Sequence, residues 1–299
     1  MSYRRPAHQE SPYPLRQVQY LLSRLFGTRL QKAKSLHFVT MNGQRFKRLV
    51  LCDSFLASEI ERNLECFAES PHFPRLVTRY EREIWVEFVD GPRITSPDEK
   101  LAEQLADFYA AIYKQRPIQV DTVASPFPQR LAQDLRFLNQ VGVLADSVYR
   151  DLRAAAEQLI PKRVWMGFDY SDPVLKNFVI VQDDDCLCAV DVEGLAENQL
   201  IGMGLVKALI RWLEPYREVF FNRTARQEVP DFHAYFPFVE LCFLSKWTKR
   251  SFFEKKWKAV NPVLFERFLS ANSLQHPSEQ MHQAIRGHEP VDDDDKRTF

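Results

Sequence analysis

Three side chains that carry oxygen donors lie at short spacing in the second half of this 299-residue chain. Asp172 precedes Asn177, and Asp191 follows after two short apolar runs, Phe178–Val181 and Leu187–Val190. Apolar runs that flank an acidic turn predict a β-hairpin, with Asn177 at its entrance and Asp191 at its exit. Mg²⁺ prefers oxygen ligands and completes its shell with substrate phosphates, so the pattern indicates a site for a metal ion and a phosphorylated ligand.

The residues before this hairpin predict a small, mostly antiparallel sheet with one helix. Asn42-Gly43 between two β-rich runs is the strongest short hairpin signal. Ser54 is suited to cap the helix that follows, in which Ile60 and Leu64 share one face. The predicted elements are strands over 35–40 and 45–52, a helix over 54–68, and strands over 75–80 and 84–91.

Beyond Pro97 the spacing of apolar residues becomes helical. Leu101, Leu105 and Phe108 recur at helical spacing in a strongly amphipathic stretch. A mainly helical region therefore follows the sheet and contains the hairpin described above. The predicted helices cover 100–115, 131–138, 147–159 and 201–213, a C-terminal helical region covers 236–269, and a proline-bearing connection covers 116–128.

Three segments in this order resemble the protein-kinase-like superfamily, and most closely its branch of aminoglycoside phosphotransferases and lipopolysaccharide-core sugar kinases. Tyr170–Asn177 matches the spacing of the catalytic loop. Val190–Gly194 lies where that family has its metal-binding aspartate, and Trp85–Gly91 is similar to the hinge that holds adenine. The resemblance implies an α+β, bilobal fold, with a small antiparallel β lobe carrying one helix and a larger, mainly helical lobe.

The resemblance also implies a role for each matched residue. Asp172 would orient the attacking hydroxyl group or accept its proton. Asn177 and Asp191 would hold Mg²⁺ against the phosphates of ATP, because phosphoryl transfer depends mostly on positioning and on neutralising charge. Glu87 and Val89 would bind the nucleotide through the backbone of the hinge.

A lysine that contacts the nucleotide phosphates is expected on the strand after Asn42-Gly43. Lys47 is the best-placed residue, although an exposed strand lysine is the alternative, and a shift of register would bring Leu49 or Leu51 to this position. Its acidic partner on the helix would be Glu59 or Glu61. These flank the apolar face at similar angles, so helical geometry does not choose between them.

Two departures from the family pattern motivate a second functional hypothesis. Tyr170 stands where the catalytic loop usually has histidine, and no glycine-rich loop precedes Asn42, where Gly27 is the only glycine. The first hypothesis is an ATP- and Mg-dependent phosphotransferase acting on a hydroxyl group of a sugar, a glycolipid similar to lipopolysaccharide core, or another small molecule. The alternative is a catalytically weak or inactive pseudokinase that serves as a binding or scaffold module.

The segment after Asp191 is short. No Ala-Pro-Glu motif follows Asp191 and the next helix begins soon after it, which favours a small-molecule or glycolipid acceptor over a protein.

The sequence also predicts a division of the chain. It consists of an N-terminal arm and helix over 1–29, a β lobe over 30–91 with the hinge at 87–91, a helical lobe over 92–285 with the catalytic hairpin at 170–194, and an acidic tail over 286–299.

Composition limits the partners and the location. Forty basic and forty acidic residues give a formal net charge of zero, which does not favour nucleic acid. A polar N-terminus and five cysteines without paired spacing favour a cytoplasmic protein with reduced thiols. Bases alternate with aromatic residues over 246–258. This stretch could contact the inner membrane surface peripherally, or its aromatic side chains could pack inward while the lysines reach solvent.

Overall fold

The computed structural model describes residues 33–92, 94–181, 185–256 and 260–272. The predicted N-terminal arm over 1–29, which includes Gly27, and the predicted tail over 286–299 lie outside these ranges. The described chain forms two compact units. One contains the residues up to Pro126 together with Pro161–Phe243, and the other contains Phe127–Ile160 together with the residues from Leu244 on.

The predicted first hairpin is confirmed. Strands β1 (Ala33–Met41) and β2 (Gln44–Leu51) pair antiparallel from Met41↔Gln44 onward. Both residues of the turn have positive φ, 51° at Asn42 and 79° at Gly43, as a two-residue turn that matches the twist of the strands requires.

The predicted helix after this hairpin is α1 (Ser54–Glu65), but the residue that caps it is Asp53. The Asp53 carboxylate accepts a hydrogen bond of 2.7 Å from the backbone N–H of Leu56. The prediction of Ser54 as the cap is therefore wrong by one residue, because an aspartate in extended backbone immediately before it satisfies the same free N–H group. Ile60 and Leu64 are buried, as predicted.

A second hairpin completes the first sheet. Strands β3 (Leu76–Tyr80) and β4 (Glu83–Glu87) pair antiparallel, and β4 also pairs with β2, in the register Lys47↔Val86. The order across the sheet is β1-β2-β4-β3. This is the small antiparallel sheet with one helix that the sequence predicts.

The helices after the first sheet match the predicted ones closely. Asp98 caps α2 (Glu99–Tyr113) by accepting a hydrogen bond of 2.8 Å from Leu101 N–H. Leu105 and Phe108 lie on its buried face. Two further helices follow in the second unit, α3 (Phe127–Gln140) and α4 (Asp146–Leu159).

Three strands in the helical region were not predicted. Strands β5 (Ile118–Asp121) and β6 (Arg163–Tyr170) pair antiparallel, and β6 pairs along its other edge with a later strand. Alternation of apolar and polar residues fails in β6 because its second half is buried on both faces. The ladder also shifts register between Gly167 and Asp169, and such an irregularity obscures a strand pattern.

The central hairpin consists of β7 (Phe178–Val181) and β8 (Cys186–Ala189), as predicted. Strand β9 (Leu195–Leu200) is the one that pairs with β6. The predicted helix over 201–213 begins as α5 (Met203–Ala208) and widens into a π-helical turn over Leu209–Leu213. Within the described ranges, α6 (Arg217–Ala225), which was not predicted, comes next. The predicted helical region over 236–269 contains α7 (Phe236–Phe253) and α8 (Val263–Ala271).

Aromatic side chains form the core of the first unit beneath the central hairpin. The ring of Phe108 on α2 lies 5.4 Å from that of Tyr170 and 5.2 Å from that of Phe178, between ring centroids. Both contacts are edge-to-face, a favoured arrangement of aromatic rings. The ends of β6 and β7 are therefore held against the same helix. Among the described residues, no helix is long and apolar enough to cross a membrane.

Candidate active site

The central hairpin brings Asn177 and Asp191 side by side. The first pair of the ladder is Phe178↔Ala189, and Val190 N–H donates a hydrogen bond of 2.8 Å to the Asn177 carbonyl oxygen just beyond it. Asn177 thus immediately precedes β7, while Asp191 follows β8 after one further residue. This is the entrance-and-exit arrangement predicted from the two apolar runs.

The Asn177 side chain contacts both of the other predicted catalytic and metal-binding residues, Asp172 and Asp191. Its Nδ2 atom donates to the backbone oxygen of Asp172 at 3.0 Å, to Asp172 Oδ2 at 3.0 Å and to Asp191 Oδ2 at 3.4 Å. Asn177 ends a short 3₁₀ turn and is buried. The structure therefore places two carboxylates around one amide, at the mouth of the hairpin.

Tyr170, which stands where histidine was expected, connects the predicted catalytic loop (Tyr170–Asn177) to the hairpin exit. Its hydroxyl donates a hydrogen bond of 3.0 Å to the backbone oxygen of Asp191. The ring is buried, and a Cβ atom on Gly194 would lie 2.5 Å from it. Glycine at position 194 is therefore what allows the segment after Asp191 to pass over the tyrosine ring.

Asp169 is a buried carboxylate that fixes the end of β6 and was not predicted to matter. It accepts hydrogen bonds from Gly204 N–H at 2.6 Å, from Tyr170 N–H at 3.0 Å and from the Tyr113 hydroxyl at 3.3 Å. Burial first, and the Asp169 carboxylate second, hold the pKa of Tyr113 well above its ordinary value, so the hydroxyl remains a donor. Asp169 thereby ties the catalytic loop to the start of α5.

Two further residues of the α5 segment hold the loop itself, and neither was predicted. The Lys207 ammonium pairs with Asp172 Oδ1 and also donates to the Ser171 carbonyl oxygen at 3.2 Å. From the π-helical turn, Trp212 Nε1 donates to the Pro173 carbonyl oxygen at 2.8 Å. One signal was present in the sequence, because Lys207 is the only charged residue in the apolar run from Met203 to Ile210.

Lys47 faces the hairpin exit, as the phosphate-binding hypothesis requires. Its Nζ atom donates to the Val190 carbonyl oxygen at 2.5 Å. Burial lowers the pKa of Lys47 below its ordinary value, and the nearby carboxylates of Asp191 and Glu193 oppose this shift. The Lys47 amino group thus contacts the residue immediately before Asp191, one of the two predicted metal ligands.

One of the two predicted acidic partners of Lys47 pairs elsewhere. Glu61 pairs with Arg79 on β3 at 2.5 Å. The Lys47 side chain extends toward Val190, where it donates to the carbonyl oxygen.

Asn63 of α1 contacts the chain beyond the hairpin exit. It is almost fully buried, and its Nδ2 atom donates to the Leu195 carbonyl oxygen at 3.3 Å. This contact holds α1 against the segment that follows Asp191. A polar residue on the apolar face of Ile60 and Leu64 was the signal for it in the sequence, because such a residue needs a hydrogen-bond partner when buried.

The predicted hinge leaves the first sheet and runs against the hairpin. Glu87 N–H donates to the Arg75 carbonyl oxygen at 3.0 Å, so this N–H group is already used within the sheet. Farther along, a Cβ atom on Gly91 would lie 2.6 Å from the Ile180 carbonyl oxygen, so glycine is needed for this close approach. Binding of adenine by the backbone of Glu87 and Val89 stays a prediction.

A buried histidine secures the outer edge of β8. His72 Nδ1 lies 2.8 Å from the Leu187 carbonyl oxygen and donates to it, while the His72 carbonyl oxygen accepts from Ala189 N–H at 2.9 Å. Burial lowers the pKa of His72 below its ordinary value of 6.5. The hairpin is thus held on the side away from β7 by a histidine that is stable there in its neutral form.

This histidine gives the protein a stability that decreases in acid. The unfolded chain binds a proton near pH 6.5 that folded His72 resists, so its contribution is complete above that pH and is lost as the pH falls. His72→Gln is expected to reduce the slope of unfolding free energy against pH by up to about 1.4 kcal/mol per unit. Urea unfolding at about pH 7.5 and pH 5.5 measures it, with exposed His37→Gln as control. An unchanged slope in His72→Gln would contradict this assignment.

Comparison with known proteins identifies the fold. No protein-family model matches the chain, and no curated protein matches its sequence. Solved structures match over most of its length. Macrolide 2′-phosphotransferase MphH from Brachybacterium faecium is 13% identical with a TM-score of 0.53, over 83% of this chain and 96% of that one. Choline kinase LicA from Streptococcus pneumoniae is 12% identical with a TM-score of 0.53, over 85% and 98%. The chain has the protein-kinase-like fold.

A third solved structure agrees with this. The GDP complex of aminoglycoside 2′-phosphotransferase-IIIa is 12% identical with a TM-score of 0.56, over 87% of this chain and 99% of that one. The predicted resemblance to the aminoglycoside phosphotransferase branch is therefore confirmed at the level of the protein-kinase-like fold. Identities this low establish the fold alone.

Proposed function

We propose that the protein is an ATP- and Mg-dependent phosphotransferase that phosphorylates a hydroxyl group of a small molecule. The observation that carries this proposal is the Asn177 amide, which joins Asp172 and Asp191 at the mouth of the hairpin. In a protein-kinase-like fold, this trio places a proton acceptor beside two oxygen ligands for a cation. The solved structures of similar fold include proteins named as phosphotransferases and kinases of small molecules, which supports the same reaction class.

The residues at the hairpin mouth suit a magnesium ion. Asn177 directs Nδ2 at the two carboxylates, so its Oδ1 atom is the part of the amide that can bind a hard cation. Within the described ranges, no three His, Cys, Asp or Glu side chains form a metal cluster. Asn177 and Asp191 would hold Mg²⁺, which usually takes one or two protein ligands and completes its shell with waters and phosphates. When bound, the ion would neutralise phosphate charge.

The protein side chains account for the remaining requirements of phosphoryl transfer. Asp172 would orient the acceptor hydroxyl and take its proton as the oxygen attacks the γ-phosphorus and ADP leaves. Lys47 would bind the nucleotide phosphates, since its ammonium lies next to Val190 and close to Asp191. Little covalent chemistry is required, so these charges and their fixed positions supply most of the catalysis.

The short connection after Asp191 supports a small acceptor. A 3₁₀ turn over Val192–Gly194 and strand β9 follow directly, and α5 begins at Met203. This leaves no long segment there to bind a peptide. We propose more specifically a glycolipid acceptor similar to lipopolysaccharide core. Acceptor specificity resides in loops that vary within one fold.

Peripheral membrane contact through 246–258 is a further proposal, and it would accompany a glycolipid acceptor. Phe253 is exposed at the end of α7, but several bases of this stretch have carboxylate partners in the chain. Lys249 pairs with Asp134 at 2.6 Å, and Arg250 pairs with Glu254 at 2.6 Å. Sedimentation with vesicles of anionic and of neutral lipid would measure the contact, because more protein should sediment with the anionic vesicles. Equal amounts of protein in the two vesicle pellets would contradict the proposal.

A pseudokinase is the second candidate. The observation in its favour is that Glu61, one of the two predicted partners of Lys47, pairs with Arg79 instead. Mg²⁺-dependent ATP turnover separates the two candidates, because a binding module would bind nucleotide without hydrolysing it.

Asp191→Asn tests the metal site directly. The variant keeps the shape of the side chain but removes a charged ligand, so the Mg²⁺-dependent part of the ATP-induced rise in melting temperature is expected to disappear. The turnover of Mg·ATP should fall by about 10²–10³-fold, the loss typical of one charge-stabilising group. Thermal shift with and without Mg²⁺, and ATP hydrolysis, measure these effects.

Asp185→Asn is the matched control for this substitution. Asp185 lies in the turn of the same hairpin and pairs with Lys100 at 2.8 Å, far along the strands from Asp191. The control is expected to keep the Mg²⁺-dependent shift and the turnover of the wild type. Full activity in Asp191→Asn would refute the metal assignment, and absence of Mg²⁺-dependent ATP binding in the wild type would refute the proposed enzyme.

A further inference from the structure

One helical segment binds the catalytic loop at three successive points. Gly204 N–H donates to Asp169 at 2.6 Å, Lys207 Nζ pairs with Asp172, and Trp212 Nε1 donates to the Pro173 carbonyl oxygen at 2.8 Å. The contacts follow the loop in sequence order while the segment runs from α5 into the π-helical turn. Such single π turns inside helices occur frequently at functional sites.

Within this segment, the charge of Lys207 needs an explanation. The neighbouring residues Leu205, Val206 and Ala208 are completely buried, while only 16% of the Lys207 side chain and 28% of the Asp172 side chain are exposed. Removing charges from water is costly, and replacing both members of a buried ion pair by apolar residues is often neutral or stabilising. Packing alone therefore does not require a lysine at position 207. A lysine is required if the Asp172 carboxylate must be held in one orientation.

The two carboxylate oxygen atoms of Asp172 have donors from two different parts of the chain. Lys207 on α5 binds Oδ1, and Asn177, immediately before β7, donates to Oδ2 at 3.0 Å. The second donor contact of Lys207, to the Ser171 carbonyl oxygen at 3.2 Å, fixes the ammonium against the backbone next to Asp172. A carboxylate offers about four acceptor sites, so it can hold these bonds and still accept a proton from a hydroxyl group.

We infer that Lys207 is the positioning residue for Asp172 in phosphoryl transfer. The inference rests on the proposed function. In the reaction, the acceptor oxygen forms a bond to the γ-phosphorus of ATP, the bond from that phosphorus to the β–γ bridging oxygen breaks, and the hydroxyl proton moves to Asp172. Lys207 stays protonated throughout. Its part is to hold the carboxylate where the hydroxyl proton can reach it, because small misplacements of a reacting group cost large factors in rate.

The test uses the full chain with Mg·ATP as the nucleotide and water as the acceptor. Lys207→Met keeps the length of the side chain but removes the charge and the donors. It is expected to lower kcat for ATP hydrolysis by about 10- to 100-fold while KM for Mg·ATP changes less than about 3-fold. Lys207→Arg, which keeps both charge and donors, is expected to recover most of kcat. Lys100→Met is the control at a paired, exposed lysine and should leave kcat unchanged.

A double-mutant cycle separates positioning from a purely structural role. If Lys207 acts through Asp172, Lys207→Met has no further effect on kcat when Asp172 is already asparagine, because residues that act as a unit are non-additive. Multiplicative losses in the double variant would overturn the inference, as would a Lys207→Met enzyme that keeps the wild-type kcat. Urea unfolding of each variant verifies folding, and Lys207→Gln replaces the methionine variant if that variant is unfolded at the assay temperature.

The outcomes for the proposed function are distinct. Wild-type protein that neither binds nor hydrolyses Mg·ATP would refute the phosphotransferase itself. Wild-type protein that hydrolyses Mg·ATP, with a lysine variant that does so equally well, would refute only the role of Lys207.

Discussion

Replacing Asp172 by asparagine is expected to lower the turnover of Mg·ATP by about 10²–10⁴-fold, the usual contribution of a positioned general base. An amide has the shape of the carboxylate but is not a base that can take the proton of the acceptor hydroxyl. The nucleotide and the metal ion contact other residues in the proposed site. The ATP-induced rise in melting temperature should therefore persist in Mg²⁺ while kcat falls, and steady-state hydrolysis together with thermal shift measures both.

Asp121→Asn is the matched control for Asp172→Asn. Asp121 lies on β5 in the same unit and also pairs with a basic residue, Arg163 at 3.3 Å, but at an exposed position. Its loss should change neither turnover nor nucleotide binding, since exposed ion pairs contribute little. Asp172→Asn with wild-type kcat would show that the proton acceptor lies elsewhere.

The parts of the site that the sequence predicted depend on contacts between near neighbours. Asn177 and Asp191 are brought together by two strands of one hairpin, and hairpins follow from apolar runs and turn residues. The turn at Asn42-Gly43 was predictable for the same reason, because glycine and asparagine accept the positive φ that the turn demands. Local patterns of this kind also fixed the helices α1 and α2 to within a few residues.

The parts that were missed depend on contacts between distant segments. Lys207 meets Asp172 only because α5 packs beside the end of β6, and nothing in the spacing of the two residues implies this. Likewise, the contact of Lys47 with the Val190 carbonyl oxygen could not be predicted from the spacing of the two residues. It depends on the direction in which β2 presents the lysine, with Lys47 paired to Val86 on β4.

Tyr170, which stands where the family pattern has histidine, makes specific contacts at this position. Its hydroxyl reaches the Asp191 carbonyl oxygen, and its ring packs against Phe108 on α2. From sequence, this position counted in favour of a pseudokinase. In the structure, Tyr170 links the predicted catalytic loop to Asp191 at the exit of the hairpin. The departure from the family pattern therefore leaves these two parts of the site connected.

Gly204→Ala is expected to cause the largest loss of stability among single-methyl additions in the site. A Cβ atom there would lie 2.0 Å from the Tyr170 carbonyl oxygen and 2.8 Å from the Tyr109 hydroxyl. Alanine is otherwise favoured over glycine in a helix by about 1 kcal/mol, so the glycine serves close packing. Moving α5 away would also break the bond of 2.6 Å to Asp169. Overpacking costs about 1–3 kcal/mol, and a lost bond to a buried charge adds about 1.5–3 kcal/mol.

Urea unfolding measures this loss, and ATP hydrolysis measures its consequence for the site. Because α5 also carries Lys207, the displaced helix should lower kcat in protein that is still folded. Gly167→Ala is the matched control, since its Cβ would lie 3.3 Å from the end of the flexible Ile201 side chain. That change is expected to alter the unfolding free energy by less than about 1 kcal/mol. Equal stability of the two variants would mean that α5 does not need to approach the catalytic loop so closely, and the link from Gly204 through Asp169 to Tyr170 would lose its support.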